Sequence, residues 1–453
     1  MKHLRSVSAL ACVALLTVCV WWLVHPAPWQ GSIGWYVFMA GAWLLFGTAC
    51  WLIRKVPRRA AATLIVVGGI ALPLAAGFAP PRTSDDLYRY LWDGRVQTSG
   101  VDPYRHVPAA TELAGLRDDF LWPQHSAWCV APGSGLMPGC TMINRPVVNT
   151  IYPPVAQAYF ASVAMLSPEG SRERPIQLAS ALFAVATTIL LLLALPRAGG
   201  DPRWAALWAW CPLVALEAGN NAHLDVVGAF LVASALLVAA QARSWRGTAA
   251  GAVLFGLAIA AKITPVLIGP SLLRRRPLTV IAAAGATLAA VYLPYVLATG
   301  PGVLGYLPGY LSEEGYRGGT RFALLAPILP PTAATAAAAL ILLAAALICY
   351  WKTDPARPWD TATVLTGVFL LVSTPAYSWY AILLVVMVAL SGRVEWLAVA
   401  LAGYVAQYSS NLHLHGTHAQ QVGYGVAALM VAAVFAVRAA ARWQIRLAAP
   451  GLS

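Results

Sequence analysis

Residues 60–95 read AAATLIVVGGIALPLAAGFAPPRTSDDLYRYLWDGR, a solid apolar run that gives way to a polar, acidic and aromatic stretch. The run is as long as the ~20 residues that carry a helix across the ~30 Å hydrocarbon core of a bilayer, and it does not alternate as a barrel strand would. Similar runs recur near residues 8–25, 32–53, 176–195, 204–219, 224–240, 247–263, 278–299, 332–350, 360–374, 377–391, 395–409 and 420–437. Composition agrees. Of the 453 residues 59% are hydrophobic and 10% charged, whereas soluble chains are about half apolar and ~25% charged. The chain therefore reads as an all-α polytopic membrane protein, a bundle of roughly 12–14 transmembrane helices. A soluble enzyme, a nucleic-acid reader and an outer-membrane barrel are excluded.

Outward from that stretch the chain divides into three N-terminal transmembrane helices over 1–80, a large polar loop over 81–150 and the remaining bundle over 151–453. The loop carries seven acids and six arginines in 70 residues, and nothing within it is able to span. The net charge of +13 sits in short links between apolar runs: Lys2 and Arg5, Arg54 to Arg59, Arg274 to Arg276, and Arg438, Arg442 and Arg446. The positive-inside rule puts these links and both termini in the cytoplasm and the loop outside. The first run, followed by no small-residue cleavage site, reads as an uncleaved helix. In the middle of the chain Arg197/Arg203, Arg243/Arg246 and Arg274–Arg276 all claim the same side, so one run there must fail to cross simply. Two candidates carry breakers: Tyr152-Pro153-Pro154, opening 151–167, and Lys262-Ile-Thr-Pro265, interrupting 247–273. Cys129 and Cys140 flank a Pro/Gly-rich turn in the external loop, where oxidising conditions permit a disulfide. The other five cysteines fall in apolar runs and read as small core residues.

Asp85 and Asp86 stand where the third helix leaves the membrane. Two carboxylates in low dielectric do not both ionise cheaply, which suits one of them to act as a general base. The competing reading is that one caps the helix that follows. Lys262, alone in an apolar run, belongs inside the bundle or a cavity, ion-paired with Glu217 or Asp225 or facing an anionic substrate.

The acid followed by Tyr88-x-Tyr90, Trp92-Asp93-Gly94 and Gly100-x-x-Pro103-Tyr104 resembles the first external loop of the glycosyltransferase C superfamily, in particular its bacterial polyprenol-phosphate-mannose-dependent mannosyltransferases. Further pieces agree in order: Ile151-Tyr152-Pro153-Pro154, Asn220-Asn221-Ala222-His223-Leu224-Asp225, Lys262 with Pro265, and Pro375-Ala376-Tyr377-Ser378-Trp379-Tyr380. The resemblance implies a GT-C-type bundle in a bacterial cell membrane with its active site on the external face. There a sugar, mannose by the resemblance, passes with inversion from a polyprenyl-phosphate donor to an envelope glycan or glycolipid acceptor. No cofactor is predicted, and the sequence does not decide whether a divalent metal takes part. The family's spacing, acid then Tyr four residues later, places the base on Asp86, with Asp85 as an extra acid.

A single displacement at an anomeric carbon needs one base and cationic support for the departing lipid phosphate, rather than the two carboxylates of a glycosidase. Arg321, Lys262 and Arg89 are the candidate cations. Tyr90, Trp92, Tyr104, Tyr377 and Tyr380, with His223, Asp225 and His415, are candidate substrate contacts, although Trp and Tyr also populate membrane interfaces. His413, His415 and His418 lack an accompanying acid or cysteine, so no metal site is assigned. The rival function is a secondary transporter or lipid flippase of envelope precursors, since broken helices and an intramembrane lysine mark those as well. The absence of an internal repeat and the size of the external loop weigh against it.

Overall fold

The computed structural model describes residues 2–25, 33–123, 130–131, 135–136, 140–316, 318–409 and 415–448. Among them seven helices are long and apolar enough to cross a membrane, and six further apolar helices have 10–17 residues. The strand content of the described residues is one two-residue antiparallel pairing, Val130 opposite Leu136, in the polar loop. The protein is an all-α polytopic membrane protein. Its helices begin and end where the sequence forces them to: Pro277 and Pro331 open Pro277–Thr299 and Pro331–Lys352 at a position where a missing N–H costs nothing. Gly392, at φ 70°, closes Ile382–Ser391 in the left-handed conformation that favours glycine.

The basic links gather at one end of the bundle. Arg203 donates to the carbonyls of Arg54 and Val56 beside the start of the Arg58–Gly77 helix, and Arg438 forms a two-pronged pair with Glu395 at 2.6 and 3.0 Å. At Lys262 the Trp245–Ala261 helix stops, the backbone turns extended, and a 3-10 turn over Thr264–Ile268 carries the chain back. Arg275 then meets the carbonyl of Ala242 and Arg276 that of Arg243. The segment 245–276 thus enters and returns, which reconciles the two basic links at its ends.

The run 204–219 differs from a simple spanning helix. It is cut into a 3-10 turn (Pro202–Ala205), two short helical pieces (Ala206–Ala209 and Pro212–Val214) and a π turn over Ala215–Asn220. Pro202 and Pro212 each withhold an N–H, and hydropathy cannot register that loss. The π turn lies against the end of the third helix. A Cβ on Gly219 would stand 2.5 Å from the Pro73 carbonyl oxygen, so only glycine permits the approach.

That approach is what holds the polar loop in position. Pro80 and Pro81 end the helical ladder and leave the carbonyls of Ala76, Ala79 and Pro80 without helical partners. The Asn220 amide donates to all three, at 3.0–3.2 Å, and its carbonyl accepts from Arg82 N–H at 2.8 Å. Asn221 accepts from the N–H groups of Arg82 and Thr83. The chain leaves this clamp directly into the Asp86–Thr98 helix.

Within the loop, Asp93 is the hub. It is buried and accepts from Arg89 Nε (2.8 Å), Thr150 Oγ1 (2.5 Å) and Gln157 Nε2 (3.1 Å). Its neighbour Gly94 lets the Pro154–Leu166 helix pack close, since a Cβ there would meet the Phe160 carbonyl at 2.5 Å. Cys140 is disulfide-bonded; its expected partner, Cys129, lies outside the described residues.

Candidate active site

A cavity of about 440 Å³ opens at the loop end of the bundle, between the start of the Asp86–Thr98 helix, the returning loop 144–153, the Lys262 break, residues 306–316 and the Tyr377–Tyr380 turn. Of the residues singled out in the sequence it brings together Asp85, Asp86, Arg89, Lys262, Tyr377 and Tyr380.

Asp85 occupies the N-cap position but makes no side-chain cap; the Asp86 N–H is taken by Ser84 Oγ at 3.2 Å. Both carboxylates instead accept from one group, the Asn144 amide, at 2.6 Å for Asp86 and 3.0 Å for Asp85. The Asp86 side chain remains 21% exposed. Burial pushes its pKa above the ordinary aspartate value; the Asn144 hydrogen bond, Lys262 and Arg145 pull the other way, and Asp85 adds to the rise. A carboxylate so placed is a stronger base than a solvated one.

The three cations fare differently. Lys262 faces the cavity, with Nζ 2.5 Å from Asp225 and 5.5 Å from the centre of the Tyr380 ring. Asp225 engages one of the three ammonium N–H donors. Arg89 also reaches the cavity wall, but its guanidinium is committed to Asp93 and to the Val148 carbonyl at 3.2–3.3 Å. Arg321 is buried and ion-paired with Glu314, over the rings of Tyr316 and Tyr380, and does not line the cavity.

One wall is faced by Tyr377 and Trp379, which belong to a stack of rings that continues behind it. His223 lies on Trp379 with centroids 4.2 Å apart, and Trp379 on Tyr377 at 4.5 Å. The Tyr380 and Tyr310 hydroxyls are bonded to each other. Tyr90 is stacked on Phe160, Trp92 is packed on Trp122, and Tyr104 donates to the Tyr152 carbonyl; none of the three lines the cavity. His415 is exposed on the surface, and His413 lies outside the described residues. Among the described residues no group of three His, Cys, Asp or Glu is placed to hold a metal.

Two contributors escaped the sequence reading. Asn144 and Arg145 sit in an unremarkable stretch of loop with no spacing signal, yet one holds the acid pair and the other reaches Glu313 at 3.1 Å across the cavity mouth.

Two family models match the chain. Residues 150–375 match glycosyltransferase family 87, and residues 5–133 match the N-terminal domain of alpha-(1->6)-mannopyranosyltransferase. Neither a curated protein nor a solved structure matches. The second match contains Asp85 and Asp86 and the first contains Lys262, so the cavity is built from both. Taken with the all-helical fold, these matches make the chain a membrane glycosyltransferase, similar to the mannosyltransferases of the GT-C superfamily.

Proposed function

We propose that the protein transfers a sugar, mannose by its similarities, from a polyprenyl-phosphate donor to a hydroxyl of an envelope glycan or glycolipid, with inversion, on the external face of a bacterial cell membrane. The observation that carries this reading is the union in one cavity of the half-buried Asp86 carboxylate, the Lys262 ammonium and an apolar flank. Asp86 takes the acceptor proton as the hydroxyl oxygen attacks the anomeric carbon. The bond from that carbon to the phosphate oxygen breaks, and its electron pair departs on the lipid phosphate. Lys262 receives that charge: at 4 Å and an effective dielectric of 20, an ammonium stabilises a single negative charge by about 4 kcal/mol before desolvation. Tyr377, the outer ring of the stack, offers its free face to the sugar, and Ile263, Val266, Leu267, Leu311 and Phe369 suit the first isoprene units of the carrier. The test is transfer by the purified protein in lipid nanodiscs. Labelled polyprenyl-phosphate mannose is expected to pass its sugar to an envelope glycolipid fraction, and a nucleotide-activated mannose to give no product. Movement of the intact donor across a vesicle membrane without transfer would instead establish the flippase.

A further inference from the structure

Behind Asp86 and outside the cavity lining lies His223, fully buried, with neither ring nitrogen in a hydrogen bond. Each nitrogen of the ring nonetheless stands near a carboxylate. Its Nδ1 stands 4.0 Å from Asp86 Oδ2 and its Nε2 stands 3.4 Å from Glu217 Oε2. Trp379 holds it face to face, and the His223 N–H is bonded to the Glu217 carbonyl at 2.8 Å. Glu217 is itself fixed by Ser378 Oγ (2.7 Å), the Tyr404 hydroxyl (2.9 Å) and the Asn221 amide (2.7 Å). A buried polar group without a partner is costly, so a ring held this firmly between two acids points to a state in which its nitrogens are used.

We infer that His223, oriented by Glu217, is a positioning residue for Asp86, whose carboxylic acid it receives as a hydrogen-bond donor once the acceptor hydroxyl has surrendered its proton. The inference rests on the reading of Asp86 as the base. The Glu217 carboxylate favours the tautomer with the proton on Nε2, which turns the Nδ1 lone pair toward Asp86. Against an ionised Asp86 that lone pair is repelled, in keeping with the 4.0 Å gap. When the acceptor O–H breaks, its proton settles on Asp86 Oδ2, and a closure of about 1 Å makes it a hydrogen bond to Nδ1. The new bond from sugar to acceptor oxygen forms as the electron pair of the old one leaves on phosphate, and the proton returns to solvent as products depart. An interaction that exists only after proton transfer begins accelerates the step without tightening substrate binding. The charged groups bearing on the pair are Asp85, Arg145 and Lys262 around Asp86, and Glu217 and Lys262 around His223.

Four variants of the full-length protein, assayed for kcat, donor KM and pH profile, decide the matter: His223→Phe, His223→Asn, Glu217→Gln and Asp86→Asn. Phe keeps the stack on Trp379 and removes both nitrogens. It is expected to lower kcat roughly tenfold to a hundredfold, the loss of one strong hydrogen bond, with donor KM unchanged. The acid limb moves to lower pH, because the protonated form of Asp86 has lost its acceptor. Asn, whose amide oxygen falls near the place of Nδ1, recovers part of kcat, and Glu217→Gln, which frees the tautomer, moves the limb in the same direction as Phe. A Phe variant with wild-type kcat and an unmoved limb overturns the inference, as does a loss confined to KM. Should the Phe variant not fold, an unmoved limb and unchanged kcat in Glu217→Gln overturn it equally. Inactive Asp86→Asn beside fully active His223→Phe removes the positioning role and leaves the base; full activity in Asp86→Asn removes both.

Discussion

Asn144 offers a single amide to two carboxylates, and its bond to Asp86 bears on how basic that residue is. Its hydrogen bond favours the charged form of Asp86, so removing it raises the Asp86 pKa further above the ordinary aspartate value. The base acts only when ionised, and activity is lost as pH falls through that pKa. In Asn144→Ala the acid limb of kcat/KM is therefore expected at higher pH than in the wild type, which a pH-rate profile of the transfer reaction measures. Asp93 makes the opposite kind of contribution. It neutralises buried Arg89, and Asp93→Ala leaves that guanidinium uncompensated, at a cost of ~3–5 kcal/mol for a broken buried pair. Thermal unfolding in detergent is expected to show a lowered Tm for Asp93→Ala and an unchanged one for Asp86→Asn. The sequence displayed Asp93 plainly within Trp92-Asp93-Gly94, but a motif does not say whether an acid faces substrate or a buried arginine.

At the scale of elements, the informative departures from regular helix are the π turn over Ala215–Asn220 and the break at Lys262. Lys262 with Pro265 announced its break, because a charge and a missing N–H coincide in an apolar run. The π turn was invisible, since hydropathy is the same for any helix pitch. Its fit against the third helix depends on Gly219, whose replacement by Ala would press a methyl to 2.5 Å from the Pro73 oxygen. Gly219→Ala is expected to cost about 1–3 kcal/mol as an overpacking strain and to loosen the Asn220 and Asn221 clamps on residues 76–83. Lowered Tm together with reduced transfer activity would report this; a variant with wild-type Tm and activity would show that the turn has room to shift.

For the whole molecule, the all-α membrane bundle was legible because its apolar runs carry almost no charge and seven of the helices they form are long enough to cross a bilayer. What the runs could not reveal is which polar groups meet. Asn144 lies 58 residues from Asp86, and Ser378 lies 161 from Glu217, so these contacts are products of packing and leave no periodic trace. The clustering of basic links at one end and of the cavity at the other predicts a topology. Engineered cysteines within 105–145 and 305–320 are expected to react with an impermeant reagent from outside, and those beside Arg58 and Arg275 to stay protected; labelling of the latter would reverse the orientation. Whether Asp86 is the base of a sugar transfer in this cavity is decided by the turnover of Asp86→Asn, with Asp85→Asn alongside. Asn keeps the size of the side chain and an oxygen that accepts from Asn144, and removes the carboxylate that takes the proton. A ~10²–10⁴-fold loss of transfer is expected for Asp86→Asn, with donor binding and Tm unchanged and a smaller loss for Asp85→Asn. Full transfer activity in a folded Asp86→Asn protein would exclude Asp86 as the base.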